Sequence, residues 1–440
     1  MERLDRLEKV IFDGLRTLPK VVVGGLVREV TPSFYRVAGI SSFVKLGDRI
    51  GLECDEGVRI GEVVRVDDAG ITVKPFDGRI DATVGTYAYR LGDAGLCPHS
   101  SWKGRVINAL GEPIDALGPL VPGERAMPLD NEPPAAMTRS RVDRPLRTGV
   151  RAIDLFTPIC AGQRIGIFAG SGVGKSTLLS MLARCTGFDT VVIALVGERG
   201  REVREFLEGP ILANRHRSIT VVATGDESPM MRRQAPKTAL SIAEYFRDLG
   251  ESVLLIVDSV TRFAHAARDV ALAAGEPAVA RGYPPSVFSD LPRLLERAGP
   301  GVEGKGAISG IFSVLVDGDD HNDPVADSIR GTLDGHIVLD RAIADQGRYP
   351  AINVLGSISR LSDHVWTSEQ KELVRRLKML IARFEDTRDL RLMGGYQPGT
   401  DSELDQAVAM VPKIYDALRQ DPSMPSSSDA FMELAQFLRQ

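Results

Sequence analysis

Arg164-Ile165-Gly166-Ile167-Phe168-Ala169-Gly170-Ser171-Gly172-Val173-Gly174-Lys175-Ser176-Thr177 is the stretch whose reading decides the fold. An apolar run, Ile165 to Phe168, enters a glycine-dense loop, and Thr177-Leu178-Leu179-Ser180-Met181-Leu182-Ala183 then continues as a helical pattern. Strand, loop and helix in that order form a phosphate-binding loop. Its glycines let successive backbone N–H groups turn inward around a polyphosphate, and the helix N-terminus adds partial positive charge. Gly170, Ser171, Gly172, Val173, Gly174, Lys175, Ser176 and Thr177 are the cradle. Lys175 reaches the β- and γ-phosphates, and the Ser176 hydroxyl is a Mg²⁺ ligand. The first position of the G-x-x-x-x-G-K-[ST] pattern is Ala169, which is compatible with the loop if no positive φ is needed there.

Composition narrows the class. With about 100–200 residues per domain, a chain of 440 residues has room for two to four. A hydrophobic fraction of 43% and a charged fraction of 26% are those of an ordinary globular protein. A net charge of −5 argues against nucleic acid as the main partner. Cys54, Cys97, Cys160 and Cys185 are scattered, which predicts reduced, mostly buried thiols rather than a zinc site or disulfide frame. No apolar run approaches the ~20 residues of a membrane span, and the N-terminus reads as lacking an export signal. The expectation is a cytoplasmic protein.

Along the chain, Leu4, Leu7, Ile11, Leu15 and Leu18 make one apolar helical stripe over residues 1–19, closed by Pro19. That helix either packs on the next domain or docks a partner or membrane surface. Residues 20–96 change to period two, with runs Val21–Val23, Phe34–Val37, Arg59–Val66, Ile71–Val73 and Ala82–Tyr89 between turns, which predicts a small closed barrel. Pro113 to Pro145 reads as an irregular connector. Within 97–365, strand-like Ile165–Phe168, Val191–Val196, Ile219–Ala223, Val253–Val257 and Ile308–Val316 alternate with helical Val203–Asn214 and Met231–Leu249. Continuous apolar strands between helices predict an α/β core with a parallel sheet buried on both faces. Residues 366–440 read as helical, with Lys371–Arg383 and Asp405–Leu418 periodic.

Two acids follow apolar runs, where ligands collect at the carboxyl ends of parallel strands. Asp258 after Val253–Val257 is placed to hold the Mg²⁺ shell, and Glu198 after Gly197 to accept from a water attacking a γ-phosphate. Each also fits a plain helix-start charge.

Further runs carry a resemblance. Arg147-Thr148-Gly149-Val150-Arg151-Ala152-Ile153-Asp154, Gly197-Glu198-Arg199-Gly200-Arg201-Glu202 and Asp258-Ser259-Val260-Thr261-Arg262 resemble the catalytic subunits of rotary ATPases. Arg281-Gly282-Tyr283-Pro284-Pro285-Ser286-Val287-Phe288, Leu291-Pro292-Arg293-Leu294-Leu295-Glu296-Arg297, Asp334-Gly335-His336-Ile337-Val338-Leu339 and Tyr396-x-x-Gly399-x-Asp401-x-x-Leu404-Asp405 resemble the type III protein-export ATPases, flagellar and virulence alike. The resemblance runs from about Lys20 to near the C-terminus. It implies a small β-barrel, a RecA-like P-loop core and a helical C-terminal domain, assembled as a homohexamer that hydrolyses ATP with Mg²⁺ to energise flagellar export. By motif match it makes Glu198 the catalytic carboxylate, where non-catalytic rotary subunits carry glutamine. Glu202 and Asp258 support the metal's water shell, and Arg199 and Arg262 lie near the γ-phosphate. Tyr349 packs on adenine, and Arg360, in Ser357-Ile358-Ser359-Arg360, is the finger offered to a neighbour's nucleotide. Implied partners are a stator-like regulator at the N-terminal helix, the export gate, and export substrates or chaperones. A peripheral contact at the inner-membrane export apparatus is implied as well; nucleic acid is not. Four other readings share parts of the pattern: a virulence secretion ATPase, a proton-linked ATP synthase subunit, a transcription-termination-type RNA translocase, and a nucleotide-binding scaffold without turnover.

Overall fold

The computed structural model describes residues 22–209, 212–316 and 323–439. The amphipathic stretch expected over residues 1–19 lies outside the described residues. The chain divides into two compact units. One runs to Ala94 and takes in Val270–Glu276; the other holds Gly95–Asp269 and Pro277–Gln440.

In the first unit six antiparallel strands close a barrel: β1 (Gly24–Val30), β2 (Tyr35–Ala38), β3 (Arg49–Cys54), β4 (Gly57–Asp67), β5 (Gly70–Pro75) and β6 (Tyr87–Gly92), in the order β1-β2-β5-β4-β3-β6. Alternation puts Val27, Tyr35, Val37, Ile50, Leu52, Val63, Ile71 and Val73 inside. Closure leaves no free sheet edge. Two strands differ from the sequence expectation. β1 begins at a glycine pair beyond Val21–Val23, and β3 carries Gly51 inside it. Glycine reads as turn in a sequence, but a Cβ at Gly25 would stand 2.1 Å from the Ala38 carbonyl oxygen. Close strand approach, not turning, demands it there. Ala82–Thr86, expected to be extended, precedes β6 outside the ladder.

The second unit holds a nine-stranded sheet among the described residues. Its main path uses β7 (Val106–Asn108), β8 (Arg164–Ala169), β9 (Thr190–Val196), β10 (Ser218–Ala223), β11 (Ser252–Asp258), β12 (Ala307–Leu315), β13 (Gly335–Leu339) and β14 (Ile352–Ser359). The order is β14-β13-β8-β12-β11-β9-β10-β7, with the short Gly299–Pro300 strand off the path against β12. Strands β7 to β13 are parallel, and β14 returns antiparallel on β13. A wholly parallel sheet was the expectation. β14 departs from it because it is an edge strand with alternating exposure, which needs no helical cover on both faces.

The helices that matter here are α1 (Lys175–Ala183), α2 (Gly200–Glu208), α3 (Pro229–Asp248), α4 (Val260–Ala273), α5 (Pro285–Glu296), α6 (Ser368–Asp386), α7 (Ser402–Leu418) and α8 (Ala430–Arg439). Val203–Asn214 was expected as one helix. α2 instead stops at Glu208 before Gly209, and a 3₁₀ stretch with non-helical Asn214 follows over Leu212–Arg217. Gly209, which closes the helix with its N–H on the Glu205 carbonyl, is the local reason. Several motif residues prove to be fasteners. Asp334 takes Arg164 through two side-chain bonds of 3.1 and 3.0 Å. Asp405 accepts from the Tyr396 phenol at 2.6 Å and from the Gly399 N–H at 2.8 Å.

The connector is pinned rather than loose. Met127–Pro128 pairs with Gly95–Leu96, and Arg297 donates to the Leu129 carbonyl at 2.7 Å. Arg297 also forks onto Glu244 at 2.9 and 3.0 Å, with side chains 4% and 0% exposed. Breaking such a pair from one side leaves a buried charge without its partner. Arg297→Met is therefore expected to cost about 3–5 kcal/mol, read as a lower thermal midpoint. The double variant Arg297→Met/Glu244→Gln should regain part of it. A single variant melting like the parent would show that the pair holds nothing.

Candidate active site

The phosphate loop leaves the C-terminal end of β8 in the middle of the sheet, where neighbouring strands β12 and β13 end beside it (Ala169 opposite Leu315 and Leu339). Ala169 belongs to the strand and is not among the described non-glycine residues with positive φ, so alanine fits that first loop position. Gly172 and Gly174 do take positive φ, 78° and 93°, which side chains rarely adopt. Gly174 is the N-cap of α1, so Lys175, Ser176 and Thr177 form its first turn, with their N–H groups toward the cradle. Arg341 donates to the Ser171 carbonyl at 2.9 Å and steadies the loop from outside.

Four charged side chains converge at the strand ends. Lys175 Nζ donates to Asp258 Oδ1 and lies 3.4 Å from Glu198 Oε1. Arg262 Nε stands 3.8 Å from the same Glu198 oxygen. Lys175 and Glu198 are each 11% exposed and Asp258 6%, so one cation and two anions are largely withdrawn from water, while Arg262 at 36% closes the group from the solvent side. Pairing offsets part of the desolvation cost that any one of these charges would carry alone. Each is aimed by its element. Asp258 ends β11, and Ser313 of β12 donates to Asp258 Oδ1 at 2.6 Å. Glu198 follows β9. Its carbonyl accepts the Gly225 N–H at 3.0 Å, and the Ala223 carbonyl accepts the Gly197 N–H at 2.6 Å. Arg262 comes from α4, its side chain lying across Gly197, where a Cβ would meet Arg262 Cδ at 2.6 Å.

Ser176, Thr177, Glu198, Glu202 and Asp258 line one cavity of about 230 Å³. Among the described residues no cluster of three His, Cys, Asp or Glu forms an all-protein metal cage. Hydroxyl and carboxylate oxygens beside a phosphate cradle fit Mg²⁺, which binds through one or two carboxylates and substrate phosphates.

Tyr349 lies beside the loop, with ring atoms 3.4 Å from where a Gly174 Cβ would stand, and is 42% exposed. Arg199 is not gathered into the cluster. It points outward at 85% exposure, 3.8 Å from Glu202. Arg360 is farther still. Its N–H bonds the Asp334 carbonyl at 2.9 Å, and Ser359 pairs with Gly335, the first residue of β13. The loop starts beside the last residue of that strand, so Arg360 sits at the opposite end of the sheet, roughly 15 Å away along the strands. The Arg147–Asp154 run is a structural lead-in to the helix Arg151–Phe156: Asp154 in its first turn accepts the Thr148 and Gly149 N–H groups at 2.8 and 3.0 Å, and burial pushes its carboxyl upward despite them. Sequence reading missed Ser313 and Arg341. Ser313 had a signal, a hydroxyl inside a strand otherwise apolar around it.

The ATP synthase alpha/beta family nucleotide-binding domain matches residues 149–359, and the T3SS EscN ATPase C-terminal domain matches 366–440. The flagellum-specific ATP synthase of Rhizobium meliloti is 58% identical over 419 residues, 95% of this chain and 90% of that protein. The assembled ATPase EscN of the enteropathogenic E. coli type III secretion system is 38% identical, with a TM-score of 0.87 over 94% of this chain and 99% of that one. EscN in complex with its central stalk EscO gives a TM-score of 0.85 at 38% identity, over 94% and 100%. Identity across nearly the whole length, on a fold that sets a phosphate loop beside two strand-end carboxylates, places this chain in the flagellum-specific ATP synthase family of type III protein-export ATPases.

Proposed function

We propose that hydrolysis is shared between two copies of the chain in a ring. Within one copy Lys175 binds the β- and γ-phosphates, and Ser176, Glu202 and Asp258 hold Mg²⁺ or its water shell. Bound there, the metal neutralises charge on the phosphate oxygens. Glu198 orients the attacking water and takes its proton. Arg262, already paired with Glu198, is drawn toward the γ-phosphate as negative charge gathers there. Arg199 joins only on closure, since it faces outward. The Tyr349 ring stacks on adenine.

The observation that carries the shared site is the place of Arg360. It lies beyond side-chain reach of its own loop, yet exposed just past the end of an edge strand, where a neighbouring copy can meet it. A head-to-tail ring supplies that neighbour, and EscN, which resembles this chain over 94% of its length, is an assembled ATPase. EscN also binds a central stalk, EscO, which supports a stalk-like partner here. We place the ring in the cytoplasm at the export apparatus of the inner membrane, a reading supported by the flagellar relatives; among the described residues no helix is long and apolar enough to cross a membrane.

ATP turnover should disappear when Mg²⁺ is chelated and return when it is restored, with the thermal midpoint little changed. Hydrolysis that persists in excess chelator would remove the metal from the site. In the cell, deleting the chain should stop export of flagellar subunits. Intact flagella with a lost virulence-protein secretion would move the assignment to the other branch of the family, a reading the 58% identity to a flagellar relative disfavours.

A further inference from the structure

Two cavities meet between the C-terminal helices and residues 340–356, the segment that runs into strand β14; β14 itself lines only the first. The first, about 290 Å³, is walled largely by apolar side chains, among them Ile343, Ile352, Val354 and Leu418. The second, about 560 Å³, is lined by four arginines, Arg348, Arg388, Arg391 and Arg419, against two carboxylates, Glu385 and Asp416. Arg348, Arg388, Glu385 and Tyr415 line both, so an apolar chamber opens into a cationic one.

The carboxylates there are occupied. Glu385 accepts from the Tyr415 phenol at 2.5 Å, and Asp416 pairs with Arg419 at 3.5 Å. Burial pushes that phenol up to about 12, so it remains a donor. In the apolar chamber Asp340 accepts from the Ala342 N–H at 2.8 Å and the Asn353 amide at 3.1 Å. The arginines are less well satisfied. Arg348, 8% exposed, lies 3.6 Å over the Tyr415 ring, and its Nη1 is buried with no hydrogen-bond partner among the described residues. Arg391 donates from Nη2 to the Phe384 carbonyl at 2.6 Å and lies 3.5 Å over the Phe384 ring, while its Nε is likewise buried and unmatched. Those two nitrogens are enclosed and do not open on the cavity; what the cavity presents is four guanidiniums against two occupied carboxylates, a cation excess that suits an oxyanion, which planar guanidinium forks hold best. Neither cavity includes the phosphate-loop residues.

We propose that these joined cavities are a second ligand site, for a small phosphomonoester whose phosphate meets Arg348, Arg388 and Arg391 and whose compact apolar group fills the first chamber. The excess of cations favours a doubly charged head over a carboxylate.

Calorimetric titration of the whole chain with phenyl phosphate, the loop first saturated with MgADP, tests it. One binding event per chain should survive MgADP. It should weaken about tenfold or more in Arg388→Ala and in Arg391→Ala, the loss typical of a charge-assisted hydrogen bond. Inorganic phosphate, with nothing to bury, should bind at least about tenfold more weakly than phenyl phosphate. Arg388 is exposed, so Arg388→Ala decides alone if Arg391→Ala fails to fold. Displacement by MgADP, unchanged affinity in Arg388→Ala, or equal binding of phosphate and phenyl phosphate would each overturn the proposal.

Discussion

Arg360→Ala should lower ATP turnover by about 10³–10⁵-fold, the usual worth of an arginine finger, while ATP binds as before. Binding survives because Arg360 is at the far end of the sheet from its own phosphate loop, beside Gly335 rather than Leu339. The loss falls on the neighbour, whose γ-phosphate keeps Lys175 and Glu198 but lacks the cation that answers the charge of transfer. Mixing separates this from a fold defect. Arg360→Ala and Glu198→Gln spoil opposite halves of one interface. After subunit exchange, random head-to-tail assembly leaves roughly a quarter of interfaces with both halves intact. Some turnover should return. A mixture as inactive as its parents, with co-assembly demonstrated, would count against Arg360 acting across the interface. Turnover at the parental rate in Arg360→Ala alone would remove it from the site.

Glu198→Gln should lower hydrolysis by about 10²–10⁴-fold, the range of a general base, and leave nucleotide affinity near the parent's. Glutamine keeps the shape and a hydrogen-bonding oxygen but not the charge that draws a proton from water. The environment sharpens the effect, since the carboxylate is 11% exposed between Lys175 at 3.4 Å and Arg262 at 3.8 Å. Removing its charge leaves those two cations with Asp258 as the remaining close anion. That excess favours the triphosphate, so binding is expected to hold or tighten. A titration showing lost affinity with the chemical step unchanged would make Glu198 a binding residue instead.

Much of this was legible in the chain because the signals are local. Strand β8, the glycines at 172 and 174, the Lys175-Ser176 pair and the first turn of α1 are contiguous, so sequence order already sets their geometry. The apolar runs of β9, β10 and β11 announce a sheet covered on both faces in the same way, through burial alone. Where a short apolar run stood among glycines, the reading failed. β3 and the start of β1 carry glycines that serve strand contact, and a turn residue and a close-approach residue look identical in one dimension.

By itself, then, the sequence determined the α/β class, the phosphate loop, and which acids follow strands, since all of these rest on neighbours a few residues apart. Only the tertiary structure decided what depends on pairing across long separations. It set β14 antiparallel at the edge, brought Glu198 and Asp258 to one lysine across 23 and 83 residues of chain, and put Ser313 behind Asp258 across 55. It turned Arg199 outward and carried Arg360 to the wrong end for its own loop. Which arginines lack a partner could not be read from the chain either, because an unmet donor is defined by the atoms around it and those come from the segment before β14, from α6, from the short helix Arg388–Leu392 and from α7 together.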